Sequence, residues 1–436
     1  MAAPSGVSHT RVLAGLVLGA AAGSAVNYLV SQGVLPRAGV EWVLKYLARP
    51  AGQIFLNLLF LPIIPLVFAS LAVGVTRLGG TASVGRVGAK TLAYFLVTTA
   101  CAAAIGLTLV NAVRPGERMS VETRDEMKRK AAAEHTAAKP PDFSPKSLID
   151  DIIPKNPLQA FADKKMLGVI FTAILVGIAL TQIDPARARL LTDFLEGVNA
   201  VTDFIIRVAM RLAPYAVFAL LFATTAEFGA DVLVALAAFV GTVLTGLAVH
   251  LCVVLPVLVR VFGGMNPVEF FRKIKVTMVT AFSTSSSSAT LPTAIQNAED
   301  DLGVPPQVSR FVLPLSASMN HNGTALFEAV TALFLCQVYG RPMGLEDQLL
   351  LLVLCVLTAT GMAGVPGGSL PLIGLILTQF GVPEGAILIV LGVDRILDMC
   401  RTMVNVTADM TTAVFVARSE RGREEGPEAG LPAGKD

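Results

Sequence analysis

Apolar runs long enough to cross a bilayer, which takes about 20 helical residues, recur along nearly the whole chain. Those at roughly 11–30, 51–76 and 88–112 are clear. The first has no clear cleavage site and the multispan pattern continues behind it, so it reads as a retained helix, not a signal peptide. Residues 113–165 break the pattern with 11 Lys/Arg, 9 Asp/Glu and the turn-rich run Lys139-Pro140-Pro141-Asp142. This stretch reads as a partly flexible polar loop. Hydrophobic character returns at 166–182. An amphipathic stretch over 188–227 carries Asp193, Glu196, Asp203, Arg207 and Arg211, and is expected to lean on neighbours and run obliquely. A further span covers 232–262.

Beyond residue 262 the apolar segments are repeatedly interrupted by Ser, Gly, Pro and Asn. Two interruptions resemble each other. Ser285-Ser286-Ser287-Ser288-Ala289-Thr290-Leu291-Pro292 and Gly364-Val365-Pro366-Gly367-Gly368-Ser369-Leu370-Pro371 both run small residues into Leu-Pro between apolar flanks. Each precedes a segment with embedded polar residues: Ser318 to Thr324 after the first, 394–409 after the second. Paired interruptions at corresponding positions of two halves point to a binding site at an inverted-repeat interface. A flexible serine linker is the alternative for the first, but it leaves the second unexplained.

The last apolar stretch, 392–417, contains Asp394, Arg395, Asp398, Arg401, Asn405 and Asp409. At 100° per residue, Asp394, Asp398, Arg401, Asn405 and Asp409 share one arc of about 80°. A charge at the centre of a membrane helix costs about 2.5–3.5 kcal/mol even on insertion scales, so such a face needs partners. A self-neutralising set with Asp398 and Arg401 as an i,i+3 pair leaves Asn405 and Asp409 without a role. Arg401 has a planar fork suited to a carboxylate. Asp398 suits an ammonium group, Asn405 can donate to a second carboxylate, and Asp409 is a hard oxygen ligand for a small cation. An acidic amino acid travelling with a cation satisfies all four, whereas a plain dicarboxylate is expected to leave Asp398 without a positive partner.

Composition narrows the alternatives. The 436 residues are 54% hydrophobic and 15% charged, against about 25% charged in soluble domains. The formal net charge is +2, which lacks the basic surplus that nucleic acid needs. The five cysteines form no C-x-x-C pair, and the four histidines (9, 135, 250, 321) show no metal-ligand spacing. No Walker A, G-x-S-x-G or H-E-x-x-H motif is present, and Ser286 with His321 is a poor nucleophile–base pair, so the reading is not an enzyme. The connection after the second span carries Arg77, Arg86 and Lys90 and no acid, which places it and the N-terminus in the cytoplasm and the loop with Arg37, Glu41, Lys45 and Arg49 outside.

The motifs Ser286-Ser287-Ser288, Asn320-x-x-Gly323-Thr324, Ala363-Gly364-Val365-Pro366-Gly367 and Asp394-x-x-x-Asp398-x-x-Arg401-Thr402-Met403-Val404-Asn405-Val406-Thr407-x-Asp409 resemble the dicarboxylate/amino acid:cation symporters, the glutamate transporter family, from about residue 11 to 418. The resemblance implies an all-α membrane protein of the elevator fold, with eight transmembrane helices, two re-entrant helical hairpins and inverted repeats. It implies scaffold helices 1–2 over 1–87, helix 3 of the transport domain over 88–112, an extracellular loop over 113–165 and scaffold helices 4–5 over 166–227. The rest of the transport domain would occupy 232–418: helix 6, hairpin 1 (266–298), helix 7 (306–339), hairpin 2 (346–379) and helix 8 (384–417). A cytoplasmic tail would fill 419–436. A homotrimer in the inner membrane, contacting lipid and binding no nucleic acid, completes the picture.

By position, the resemblance implies that Arg401 and Thr324 hold the substrate side-chain carboxylate and Asp398 its amino group. Asn405 and the backbone near Ser286 and Ser287 would hold the main-chain carboxylate, with Thr402 beside them and Gly364 and Val365 closing the gate. One sodium site would use Asp409 with Ser316, Asn320 and Asn405, a second backbone at Ser318 and 359–362. A third would use Thr98, Thr99, Asn320 and an Asp at position 322. Here the chain departs: Asn320-His321-Asn322-Gly323-Thr324 stands where the family has Asn-Met-Asp-Gly-Thr, which removes a compensating carboxylate. Ser285 also stands where some members carry an arginine, with Arg395 a candidate substitute. Two expectations follow: sodium coupling at reduced stoichiometry, or coupling shifted to protons with His321 as carrier. The competing functions are a C4-dicarboxylate carrier and a passive channel or sensor.

Overall fold

The computed structural model describes residues 9–78, 82–134, 152–163, 165–229, 231–362, 364 and 366–424. Among them every regular element is helical. Five helical stretches are long and apolar enough to cross a membrane: Thr10–Ser31, Arg37–Arg77, Arg86–Arg118, Pro185–Phe228 and Asp231–Gly263. Together with the shorter apolar helices Leu167–Gln182 and Ser369–Gln379, they make this a multi-pass α-helical membrane protein.

The first group of helices comprises α1 (His9–Ser31), α2 (Arg37–Val43), α3 (Arg49–Phe60) and α4 (Ile63–Leu78). A wider turn of π-helix, Leu44–Ala48, joins α2 to α3. The segment with Arg37, Glu41, Lys45 and Arg49, read from sequence as a loop, is therefore helical. Arg37 and Glu41 pair at i,i+4 (3.2 Å) and Val40, Leu44 and Ala48 pack with Ala219, Ala223 and Ala226, so the polar residues occupy one face only. Next come α5 (Ala82–Val113), α6 (Val121–Glu134) and α7 (Pro157–Ala162). The predicted polar loop is thus partly helical: Ser120 accepts from the Thr123 amide (3.3 Å) at the start of α6, and Asn156 accepts from Leu158 and Gln159 at the start of α7.

Helix α8 (Met166–Gln182) leads into α9 (Pro185–Phe228), whose first amides are taken by Asp184. Helix α9 packs on α1, α3 and α4, and Gly15, Gly19 and Gly23 of α1 let its backbone press against Pro214, Phe218 and Phe222. Arg49 of α3 grips Glu227 with two bonds (2.7 and 2.8 Å). Helix α10 (Asp231–Val249) widens into a π-turn at His250–Val254 before α11 (Leu255–Leu258). Pro256 supplies the reason: it has no N–H for the carbonyl four residues back, so the local register loosens.

The remainder is built of broken pieces. Helices α12 (Pro267–Lys273), α13 (Lys275–Thr284) and α14 (Ser287–Asp300) precede α15 (Pro306–Met319) and α16 (Asn322–Val338). Then follow α17 (Leu345–Thr360), α18 (Ser369–Gln379) and α19 (Leu388–Glu424). Helix α13 packs against α14, and α16 runs buried between α5, α17 and α19. Phe239, Phe327 and Phe334 lie together in the largest core cluster. The predicted helix over 306–339 is broken at Asn320 and His321, whose backbones are neither helical nor extended. Helix α19 continues past 418 to Glu424, where Glu420 binds Arg86 (2.8 Å) and Lys90 (2.6 Å) of α5.

Candidate functional site

Three backbone breaks converge on α19. The first is the turn at Ser285, whose φ of 50° is left-handed. Ser286 follows as the cap of α14, accepting from the Ala289 amide at 3.2 Å. The second is the Gly364 segment between α17 and α18. The two matching interruptions read from sequence meet here: Ser286 Oγ donates to the Gly364 carbonyl (2.8 Å), and the Ser288 amide approaches the same oxygen (3.4 Å). Gly364 is required for the approach, because a Cβ there would lie 2.6 Å from the Ala317 carbonyl and 2.9 Å from Ser287 Cβ. Val365 lies outside the described residues.

The third break, Asn320-His321, is fastened to α19 by side chains. Asn320 Nδ2 donates to Asp409 Oδ1 (2.9 Å). Asn405 Oδ1 accepts from the Gly323 amide (2.7 Å) and its Nδ2 donates to Thr324 Oγ1 (3.2 Å). A Cβ at Gly323 would sit 2.9 Å from the Arg401 carbonyl, so this small residue sets how closely α16 approaches α19. Unpaired backbone at membrane depth is tolerated only where protein covers it, and Asn320, His321 and Asn322 are fully buried.

Arg401 lies at the centre of this arrangement and is 1% exposed. Its Nη2 reaches Asp398 Oδ1 (2.8 Å) and Asp394 Oδ1 (3.0 Å). The guanidinium lies over the Phe327 ring, 3.8 Å from the centroid, a cation–π contact in a buried setting. Arg401 Nε and Nη1 are buried and have no hydrogen-bond partner. With Nη2 committed to the two aspartates, the open donors Nε and Nη1 lie on different edges of the buried guanidinium, and each can bond one oxygen of an anion such as a carboxylate. Arg395 Nη1 stands 3.4 Å from Asp398 Oδ2. The sequence expectation that Asp398 has no positive partner without substrate is therefore corrected. The i−3 position on the same helix supplies one.

The sequence-predicted residues divide as follows. Ser286, Ser287, Gly364, Thr324, Asn405, Asn320, Asp409, Asp398 and Arg401 belong to the contacts just described. Thr402 Oγ1 donates to the Asp398 carbonyl (2.8 Å), and Ser316 and Ser318 donate to carbonyls of their own helix, Val312 (2.8 Å) and Pro314 (3.0 Å). Asn320 Oδ1 is buried without a donor. With the Asp409 carboxylate it presents the hard oxygens that an alkali cation takes.

Around Asn322 the bonding is different. Thr99 and Thr98 Oγ1 donate to Asn322 Oδ1 (2.8 and 3.4 Å), and Asn322 Nδ2 donates to His250 Nε2 (3.2 Å). The amide thus closes a neutral ring of bonds. His321 Nδ1 donates to the Ala359 carbonyl (2.9 Å), leaving Nε2 buried without a partner.

Three participants were missed from sequence. His250 was considered only for metal spacing, although a single polar ring inside the 232–262 apolar run is itself a signal. Glu328 is fully buried, accepts from Thr358 Oγ1 (2.7 Å) and lies next to Phe327 in the chain. It was likewise the lone acid in an apolar helix. Phe327 gave no signal, since nothing in the chain order says that an aromatic in α16 faces a guanidinium in α19.

Comparison with known proteins assigns the chain to a family. The model of the sodium:dicarboxylate symporter family matches residues 9–419. The chain is 32% identical over 398 residues to a proton/sodium-glutamate symport protein of Bacillus subtilis (strain 168), covering 88% of this chain and 89% of that one. It is 31% identical over 413 residues to a proton/glutamate-aspartate symporter of Escherichia coli (strain K12), at 94% and 92% coverage. It is also 31% identical over 373 residues to a C4-dicarboxylate transport protein of Bordetella avium (strain 197N), at 85% and 83%. The chain belongs to the sodium:dicarboxylate symporter family and is a membrane transporter, not an enzyme.

Proposed function

We propose that this symporter carries an acidic amino acid, aspartate or glutamate, across the inner membrane together with a cation. The observation that carries the reading is the buried Arg401 guanidinium, with Nε and Nη1 open, beside the Asp398 carboxylate. Arg401 takes the side-chain carboxylate with Thr324. Asp398 takes the ammonium, while Asn405 and the turn at Ser286 and Ser287 take the main-chain carboxylate. Thr402 orients Asp398, and Gly364 with Val365 forms the gate. The names of the Bacillus subtilis and Escherichia coli relatives point to the same substrates.

Sodium is the cation favoured by the oxygen set of Asp409, Asn320, Asn405, Ser316 and Ser318. The site of Thr98, Thr99, Asn320 and residue 322 has lost its carboxylate, which supports coupling to fewer sodium ions. A second reading, proton coupling, is favoured by His321 Nε2 standing buried and unpartnered and by the word proton in both relatives' names. Alternating access would proceed by an elevator movement of residues 88–112 and 232–418 against a scaffold of 1–87 and 166–227, in a homotrimer of eight-span protomers with re-entrant hairpins at 266–298 and 346–379.

Uptake of labelled aspartate into proteoliposomes under a sodium gradient alone, then a proton gradient alone, tests the reading. Accumulation under sodium is expected, with Arg401→Gln weakening apparent affinity by roughly 2–5 kcal/mol, the cost of leaving a buried charge partner unpaired. Absence of uptake under either gradient, or an unaffected Arg401→Gln, would refute it.

A further inference from the structure

Helix α17 ends at Thr360 in the interior of the protein, where Ala359 and Thr360 are 0% and 6% exposed. The last carbonyls of a helix have no following turn to donate to them, and they carry the negative end of its dipole. Here the Gly361 amide turns back to the Leu357 and Thr358 carbonyls (3.1 Å each). The Ala359 carbonyl is met by a side chain: His321, 38 residues earlier in the chain and 1% exposed, brings Nδ1 to 2.9 Å. A carbonyl oxygen can only accept, so the imidazole carries its proton on Nδ1 and donates. One residue before, Thr358 Oγ1 donates to Glu328 of α16 at 2.7 Å. The last turn of α17 is thus fastened at two points to the segment that runs from the Asn320-His321 break into α16. Both fasteners are side chains of the protein itself.

Buried carbonyls at the end of a broken membrane helix are otherwise a seat for a co-transported ion, which such half-helix ends and the unwound backbone beside them coordinate. We propose that His321 is a positioning residue that takes the place of a cation at the C-terminus of α17. Its N–H holds the end of α17, the helix that leads to Gly364, against the Asn320-His321 break with no ion between them. The inference rests on the transport reading above and deepens its cation coupling. It withdraws the cation position expected from sequence at Ser318 and 359–362, and leaves the Asp409 carboxylate with Asn320 Oδ1 as the seat for sodium. His321→Met takes the donor away and reopens the α17 carbonyls to an ion. His321→Asn keeps an N–H close to where the imidazole Nδ1 stands, so the seat stays closed.

The experiment is calorimetry of aspartate binding to the purified full chain at constant pH and ionic strength, with sodium varied against choline, for the wild type, His321→Met and His321→Asn. Each sodium ion bound together with the substrate strengthens its binding about tenfold per tenfold rise in sodium, or about 1.4 kcal/mol. His321→Met is expected to add one such factor, so its affinity climbs about tenfold more than the wild type's over the same range. His321→Asn is expected to keep the wild-type dependence. A merely structural role for His321 would lower affinity in both variants and leave the sodium dependence unchanged. That result overturns the proposal, as does an asparagine variant that behaves like methionine. Amide hydrogen exchange of residues 357–362 in the wild type, without aspartate, is a second readout that needs no variant. Exchanging choline for sodium is expected to slow it by less than about threefold, and greater slowing overturns the proposal. If His321→Met does not fold, this exchange and the His321→Asn sodium dependence decide. Aspartate that fails to bind the wild type at every sodium concentration overturns the transport reading instead, while the exchange measurement still tests the tether.

Discussion

Asn322→Asp puts the missing carboxylate back and asks what the ring of bonds at that position does. In the native chain every polar atom of the amide is satisfied at zero charge: Thr99 and Thr98 donate to Oδ1 at 2.8 and 3.4 Å, and Nδ2 donates to His250 at 3.2 Å. Aspartate keeps the two threonine donors, and His250, whose Nδ1 has no partner, can carry its proton on Nε2 and donate to the new oxygen. What changes is the charge: burying it costs several kcal/mol, of which hydrogen bonds to a charged acceptor return about 1.5–3 kcal/mol each. The net is a loss on the order of 1–3 kcal/mol by these magnitudes, which a bound cation relieves. At a concentration 100 times its Kd, a cation returns about 2.7 kcal/mol. Thermal unfolding of the purified protein in choline chloride and in sodium chloride, at equal ionic strength, reads both halves. Asn322→Asp is expected to unfold below the wild type in choline and to recover most of the gap in sodium, with the wild type shifting less. Equal sodium dependence in the two proteins would refute the claim that the amide has displaced a cation.

Gly364→Ala drives a methyl group into the Ala317 carbonyl and Ser287, at 2.6 and 2.9 Å. Overpacking of about 1–3 kcal/mol is expected to weaken aspartate binding roughly 5- to 150-fold, measured by calorimetry with the fold checked by gel filtration. Glu420 lies beyond the membrane-spanning part of α19, and its carboxyl is held below the usual range by hydrogen bonds from Arg86 and then Lys90. A depressed carboxyl stabilises the fold above its unfolded pKa and ceases to do so as pH falls through the folded value. Glu420→Gln is therefore expected to cost about 0.2–1 kcal/mol at pH 7 and nothing once the wild-type carboxyl is protonated. Unfolding compared across pH should show that gap closing on acidification, and a gap that widens would contradict the assignment.

How legible this protein is from its sequence depends on where each signal is stored. The matched runs at Ser285 and Gly364 were readable because Gly, Ser and Pro punctuate an apolar chain in which nothing else does. Their contact in space follows the repeat logic that the pairing suggested. The polar arc of Asp394 to Asp409 was readable because helical periodicity alone fixes who shares a face. The segment from Arg37 to Arg49 was misread because four charges in thirteen residues look like a loop. An i,i+4 pair and a packed opposite face keep it helical instead. Arg395 was visible, yet its grip on Asp398 was not, since only a rotamer settles which neighbour a long side chain meets. His250 needed three dimensions altogether: 72 residues separate it from Asn322, and no local pattern links them.

The cost of the arrangement indicates what it serves. A buried polar atom without a partner costs about 1–3 kcal/mol, and Arg401, Asn320, His321, Glu328 and Ser285 each hold at least one. All five lie at a backbone break or on the helix faces beside one. Ser24, Arg124 and Asp203 carry such atoms away from the breaks as well, so it is the gathering of several around Arg401 and the broken segments that asks for a function. The breaks and the open groups also depend on each other. Asn405 can hold Gly323 and Thr324 only because α16 begins afresh at Asn322, and Gly364 can accept from Ser286 only because α17 has ended. Straightening any one helix would satisfy its backbone and bury Arg401 without access to a carboxylate. On the proposed transport reading, the stability forgone at these positions returns when substrate and cation supply the absent partners, which would tie loading of the site to closure of the gate.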